Sequence, residues 1–151
     1  MKCLACMSIC VFIGLTAGVQ AADKELSISA LPAVVVKTVP ESGDVKVDPN
    51  ITEIRVTFSK KMQDGRWSWG QMSEETYPKT TGKPHYLPDG KTCVLPVALE
   101  AGKTYVLQIN ALSGKFHNFT DTNQQPSVPY LLVFETRGAK TEADQEKSAA
   151  K

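Results

Sequence analysis

Histidine is scarce in this chain: His85 and His117 are the only two in 151 residues. Neither stands beside an acidic residue that could orient it for proton transfer. Zinc needs three or four clustered ligands, and one cysteine with two distant histidines cannot supply them. Of the four cysteines, Cys3, Cys6 and Cys10 fall in the first ten residues, which leaves Cys93 alone in the body of the sequence. An internal disulfide is therefore excluded there, and the fold must be held by its core. Charge of either sign in excess is also missing. The 17 basic and 16 acidic residues give a formal net charge of +1, where nucleic-acid binding calls for a basic field. No cofactor motif is present, and the composition points away from an enzyme.

The amino-terminal 21 residues read as an export signal. Lys2 provides a short positive start, Leu4–Val19 is apolar but too short for a secure membrane span, and Val19-Gln20-Ala21 places small or branched residues at a cleavage site. Cleavage near Ala21/Ala22 is expected, with no membrane insertion of the mature chain. Loss of residues 1–21 leaves 16 basic and 16 acidic residues. Residues 22–32 form a lead-in. Residues 138–151 (GAKTEADQEKSAAK) contain no large apolar side chain. Such a segment cannot bury enough surface to offset its ordering entropy, so a disordered tail is expected.

Between these ends the hydrophobic period is two. In ITEIRVTFSKKM, Ile54, Val56 and Phe58 alternate with Glu53, Arg55 and Thr57, as a half-buried strand requires. Seven strands are expected: 33–39, 51–58, 66–72, 84–87, 91–99, 104–110 and 129–137. Pro88-Asp89-Gly90 marks a tight hairpin, and Glu100-Ala101-Gly102-Lys103 marks a corner. Residues 60–64 alone could form a helical turn. Short strands separated by turn residues signal one all-β sandwich. The expected inward faces are Ile54, Val56 and Phe58; Cys93, Leu95, Val97 and Leu99; Tyr105, Leu107 and Ile109; and Tyr130, Leu132 and Phe134.

Leu99-Glu100-Ala101-Gly102-Lys103-Thr104-Tyr105 adds a further pattern. A Leu, a Gly-containing corner and a Tyr opening the next strand match the tyrosine corner of Ig-like sandwiches. Val39-Pro40 with Gly43 and Val47, the strand 54–58 followed by Ser59-Lys60-Lys61-Met62, Thr120-Asp121-Thr122-Asn123 and Phe134-Glu135-Thr136 extend the pattern. With these, residues 33–137 resemble the bacterial Ig-like domains of the SbsA type, found in secreted and cell-surface proteins. Lys61, where that family commonly has Pro, and Gln124-Gln125, where Gly often follows, depart from it. The resemblance implies a non-catalytic module with a structural or adhesive role, secreted, periplasmic or at the cell surface. Its expected partner is a protein or an envelope polymer.

Candidate binding residues are few. Trp67 and Trp69 lie two apart on one strand face, a spacing that can present a flat platform to a sugar; the same spacing also suits the core tryptophan of an Ig-like sandwich. The platform reading makes the chain a small-ligand, carbohydrate-binding module instead. The connection 111–128 is long for a loop and the best candidate surface, with Phe116, His117, Asp121 and Asn123 as its candidate contacts. Asp121-x-Asn123 has part of a calcium-loop spacing but lacks the later acidic ligand, so Asx-turn chemistry is expected. Cys93 and Tyr105 are expected to be structural.

Overall fold

The computed structural model describes residues 26–111, 113 and 116–138. The expected leader, most of the lead-in's first residues and the polar tail beyond Gly138 lie outside the described residues. Two antiparallel sheets make up the domain, and no helix occurs among the described residues. The eight strands are β1 (Val35–Val39), β2 (Glu53–Phe58), β3 (Trp69–Gln71), β4 (Lys79–Thr80), β5 (His85–Tyr86), β6 (Thr92–Ala98), β7 (Thr104–Ile109) and β8 (Tyr130–Glu135).

The first sheet runs β1-β2-β6, with β4 and β5 both paired to the far side of β6; the second runs β3-β7-β8. The expected inner faces meet where alternation puts them. Ile54 opposes Leu95 and Val56 opposes Cys93 across β2 and β6. Tyr105 opposes Phe134, and Leu107 opposes Leu132, across β7 and β8. Ile54, Val56, Phe58, Leu95, Val97, Tyr105, Leu107, Ile109, Leu132 and Phe134 are all buried. Each large apolar side chain removed from water in this way contributes about 1.5–3 kcal/mol. Strand β6 departs from simple alternation, because Val94 on its outer face is buried as well, with Arg55 and His85 as its cross-strand partners.

Turn chemistry follows the expected punctuation. Gly90 adopts φ +64° in the β5–β6 hairpin, and Asp89 Oδ1 accepts from the amides of Lys91 and Thr92 at 2.8 and 2.9 Å. At the β6–β7 corner the Glu100 amide donates to Tyr105 Oη at 2.7 Å. Thr136 Oγ1 fastens the same corner to the end of β8, donating to Glu100 O at 2.6 Å and accepting from Lys103 N at 2.9 Å. After Pro40 the chain crosses to the second sheet, where Gly43 N and Val47 N donate to Val133 O and Glu135 O, covering the edge of β8.

Three local expectations change. The strand expected over 66–72 narrows to Trp69–Gln71. Residues 60–64 do not turn helically; Met62 bridges to Asp121 and Gln63 N donates to Thr120 O, so the segment runs beside the long connection. The strand expected over 84–87 is the second half of a broken edge strand. Its first half, β4, pairs with Val97 and Ala98, and β5 pairs with Cys93 and Val94. Gly82-Lys83-Pro84 interrupts it opposite Leu95, since proline has no amide hydrogen to give the ladder.

Candidate functional site

The break between β4 and β5 opens the seam of the sandwich. There the edge of the first sheet faces β3 of the second, and a groove of about 640 Å³ runs between them. Trp67, Trp69 and Tyr77 wall one side, Gly82 and Pro84 the broken edge, and Leu95 of the core lies at its floor. Ser68, Gln71, Thr80, Gln108, Ser113 and Asn118 bring polar side chains to it, and Phe116, 62% exposed, forms its rim. The Gln108 side chain lies over β3 because residue 70 is glycine: a Cβ there would meet Gln108 Cβ at 3.0 Å. A second cavity of about 490 Å³ shares Trp67 and Asn118 with the groove and adds Gly65, Arg66 and Lys83. The Lys83 ammonium stands 5.3 Å from the centre of the Trp67 ring, a cation–π approach.

The two indoles do not form a flat platform. Trp69 packs against both halves of the core and meets Phe119 edge-on, ring centres 5.7 Å apart. Its Nε1 is buried and without an acceptor in hydrogen-bond geometry. Trp67 is half-buried and packs on the core half that contains Phe58 and Cys93. Trp69 is thus the core tryptophan of the sandwich, and Trp67 is the aromatic wall of the groove. Tyr77 donates its hydroxyl to Trp69 O at 3.3 Å, and burial raises its pKa above the usual phenol value.

The candidate residues of the long connection separate. Phe116 joins Trp67 and Trp69 in the groove. His117 does not; it is half-buried beside Pro32 and Pro126–Pro129, and its Nδ1 is buried without a partner. Asn123 is exposed and serves through its amide, which donates to Asp121 Oδ1 at 2.9 Å. Asp121 is fully buried, accepts from Gln125 N at 2.9 Å through the same oxygen, and pairs Oδ2 with Lys60 Nζ at 2.7 Å. Burial pushes this carboxyl's pKa up. The Lys60 ammonium and the Gln125 and Asn123 amides outweigh it and hold the group below the ordinary carboxylate value. The Asx-turn geometry is therefore completed by a lysine rather than by a metal ligand set. Among the described residues no group of three or more His, Cys, Asp and Glu side chains is placed to hold a metal ion.

Two residues of structural weight are not singled out by the sequence pattern. Phe119 lies in the middle of the long connection yet is fully buried, 5.1 Å from Phe58 between ring centres. Asn110 closes β7 at φ +58° and is also fully buried. Its Nδ2 donates to Phe119 O, Ser127 O and Ser127 Oγ at 2.9–3.1 Å, and its Oδ1 accepts from Phe119 N at 3.0 Å. An asparagine directly after a strand is the one clue available, since asparagine tolerates positive φ better than most residues.

Cys93 is fully buried opposite Val56. Burial pushes its thiol pKa up to about 12, with the neighbouring Trp69 indole N–H the first of the opposing influences.

Two antiparallel sheets, a core tryptophan on β3 and a tyrosine corner between β6 and β7 define an Ig-like β-sandwich. The chain belongs to the bacterial Ig-like domain family, whose model matches residues 30–136. Among solved structures, the S-layer protein rSbsC(31-844) is similar at 21% identity, with a TM-score of 0.46 over 74% of this chain. The chain spans 14% of that protein. No curated protein matches the chain.

Proposed function

We propose that this chain is an exported, non-catalytic Ig-like module with a structural or protein-interaction role at the cell envelope. The observation that carries the reading is how the buried polar side chains are used. Asp121 holds Lys60 and two amides of its own loop, and Asn110 holds Phe119 and Ser127. These groups fix the loops at one end of the sandwich, the chemistry of a scaffold. The groove is lined by aromatic, amide and hydroxyl groups, which suit contact with a partner better than acid–base or nucleophilic work.

Membership of the bacterial Ig-like family and the leader pattern of residues 1–21 support work outside the cytoplasm. Fractionation of expressing cells, with intact mass of the product, tests this. The chain should be recovered from the envelope or the medium with a mass that begins at or near Ala22. A cytoplasmic protein that retains Met1 and Lys2 overturns the export reading. Pull-down from envelope extract then identifies the protein or polymer it contacts.

A further inference from the structure

We infer that the seam groove and the basic cavity beside it form one binding site for an acidic saccharide, a sugar chain bearing carboxylate groups. The two cavities share Trp67 and Asn118, so one ligand can occupy both. Each cavity, at about 640 and 490 Å³, lies in the range of small-ligand sites, about 300–1,000 Å³.

The lining matches such a ligand at three levels. Trp67 and the exposed Phe116 give the groove aromatic surface for the C–H faces of a sugar at low entropic cost. Gln71, Gln108 and Asn118 carry amides, each with two donors and an acceptor for paired hydroxyls. At one end stand Arg66 and Lys83, the only charged side chains among the described residues that line either cavity, and both are cations. A neutral sugar leaves these two unused; a carboxylate pairs with them by charge-assisted hydrogen bonds.

Charge complementarity alone also fits an acidic peptide, but the walls do not. An extended peptide binds by adding to a sheet edge. Here the Trp69 carbonyl on β3 already accepts from Tyr77 Oη, and the opposite edge is broken at Gly82-Lys83-Pro84.

Tryptophan fluorescence reports the site directly, because both indoles line it. The chain is titrated with trigalacturonate, with its uncharged methyl ester and with triglutamate, and affinities are checked by calorimetry. Trigalacturonate should shift the emission and bind about tenfold more tightly than the ester, the factor expected from one charge-assisted contact. Lys83→Gln with Arg66→Gln should remove that difference, and Phe116→Ala should weaken both sugars. These three positions are exposed, so the melting curve should stay within error and confirm that the fold is intact. Trp67→Phe, which keeps a ring on the core, should weaken both sugars as well. The proposal is overturned if no saccharide binds, if ester and acid bind alike, if triglutamate binds as tightly as trigalacturonate, or if the variants leave the titrations unchanged.

Discussion

Lys60 Nζ lies 2.7 Å from Asp121 Oδ2, with only 17% of the lysine side chain and 1% of the aspartate side chain exposed. The ammonium also donates to the carbonyls of Ser29 and Leu31. One cation therefore joins the segment after β2, the turn of the long connection and the stretch before β1.

Removing the cation should be costly, because it leaves a buried carboxylate without its counter-charge. Lys60→Met is expected to destabilise the domain by about 3 kcal/mol, the low end for breaking a buried pair. The sign of the pH dependence follows from the lowered pKa of Asp121. The pair's contribution is fully present above the ordinary carboxyl value of 3.8 and is lost as pH falls through the lower folded pKa. Urea unfolding of both proteins from pH 7 to pH 3 should thus show a gap that narrows below about pH 4. A gap that stays constant would remove the ion pair as its cause.

The tyrosine corner makes a sharper test, since one atom can be deleted. Tyr105→Phe keeps the buried ring, which packs 5.4 Å from Phe134, and removes only the acceptor of the Glu100 amide. The expected loss is about 1–3 kcal/mol, and in a domain of this size each kcal/mol lowers the melting temperature by about 4 °C. Thermal melts followed by circular dichroism check this. A melting temperature unchanged within error would show that the bond contributes nothing to the fold.

The parts of this fold legible in the sequence are those where one residue's environment is set by its immediate neighbours. Ile54, Val56 and Phe58 alternate because their strand has one buried face, and the Leu99–Tyr105 corner is a local spacing. Lys79 and Thr80 form a strand only because Val97 and Ala98 lie beside them; two exposed polar residues carry no period. Phe119 reads as a loop residue because nothing in its neighbourhood repeats, yet Phe58 and Trp69 from distant strands enclose it. The site was legible in the same partial way. The Trp67-x-Trp69 spacing brings both indoles to the groove, but only packing against Phe119 decides which of them enters the core. The groove itself arises from the gap at Gly82-Lys83-Pro84, whose effect depends on where β6 lies.

Cys93 is expected to be unreactive in the native protein. A thiol whose pKa is pushed up to about 12 has almost no thiolate near neutral pH, and the side chain is fully buried. An aromatic disulfide reagent should label it slowly in buffer and rapidly in denaturant. Rapid native labelling would mean that the strand is displaced by one residue, which would expose its whole inward face.

Asn110 should prove the most sensitive polar position of the domain. Its amide fills four hydrogen bonds to Phe119 and Ser127, and its backbone is held at φ +58°. Two separable costs follow on substitution. Asn110→Gly accepts the positive φ without strain but leaves the buried Phe119 amide and the Ser127 carbonyl without partners, while Phe119 O keeps its bond from Ser127 N at 2.8 Å. Each unpartnered group costs about 1–3 kcal/mol, so the glycine variant should lose at least about 2 kcal/mol. Asn110→Ala adds the left-handed backbone penalty and should be about 1 kcal/mol worse again. Because Asn110 fastens both arms of the connection, amide hydrogen exchange should accelerate first around Phe119 and Ser127 in either variant, while β2 and β6 keep their protection. If glycine and alanine were equally mild and exchange rose evenly through the sandwich, the long connection would be held by Phe119 packing and the Asp121 pair, with Asn110 a bystander.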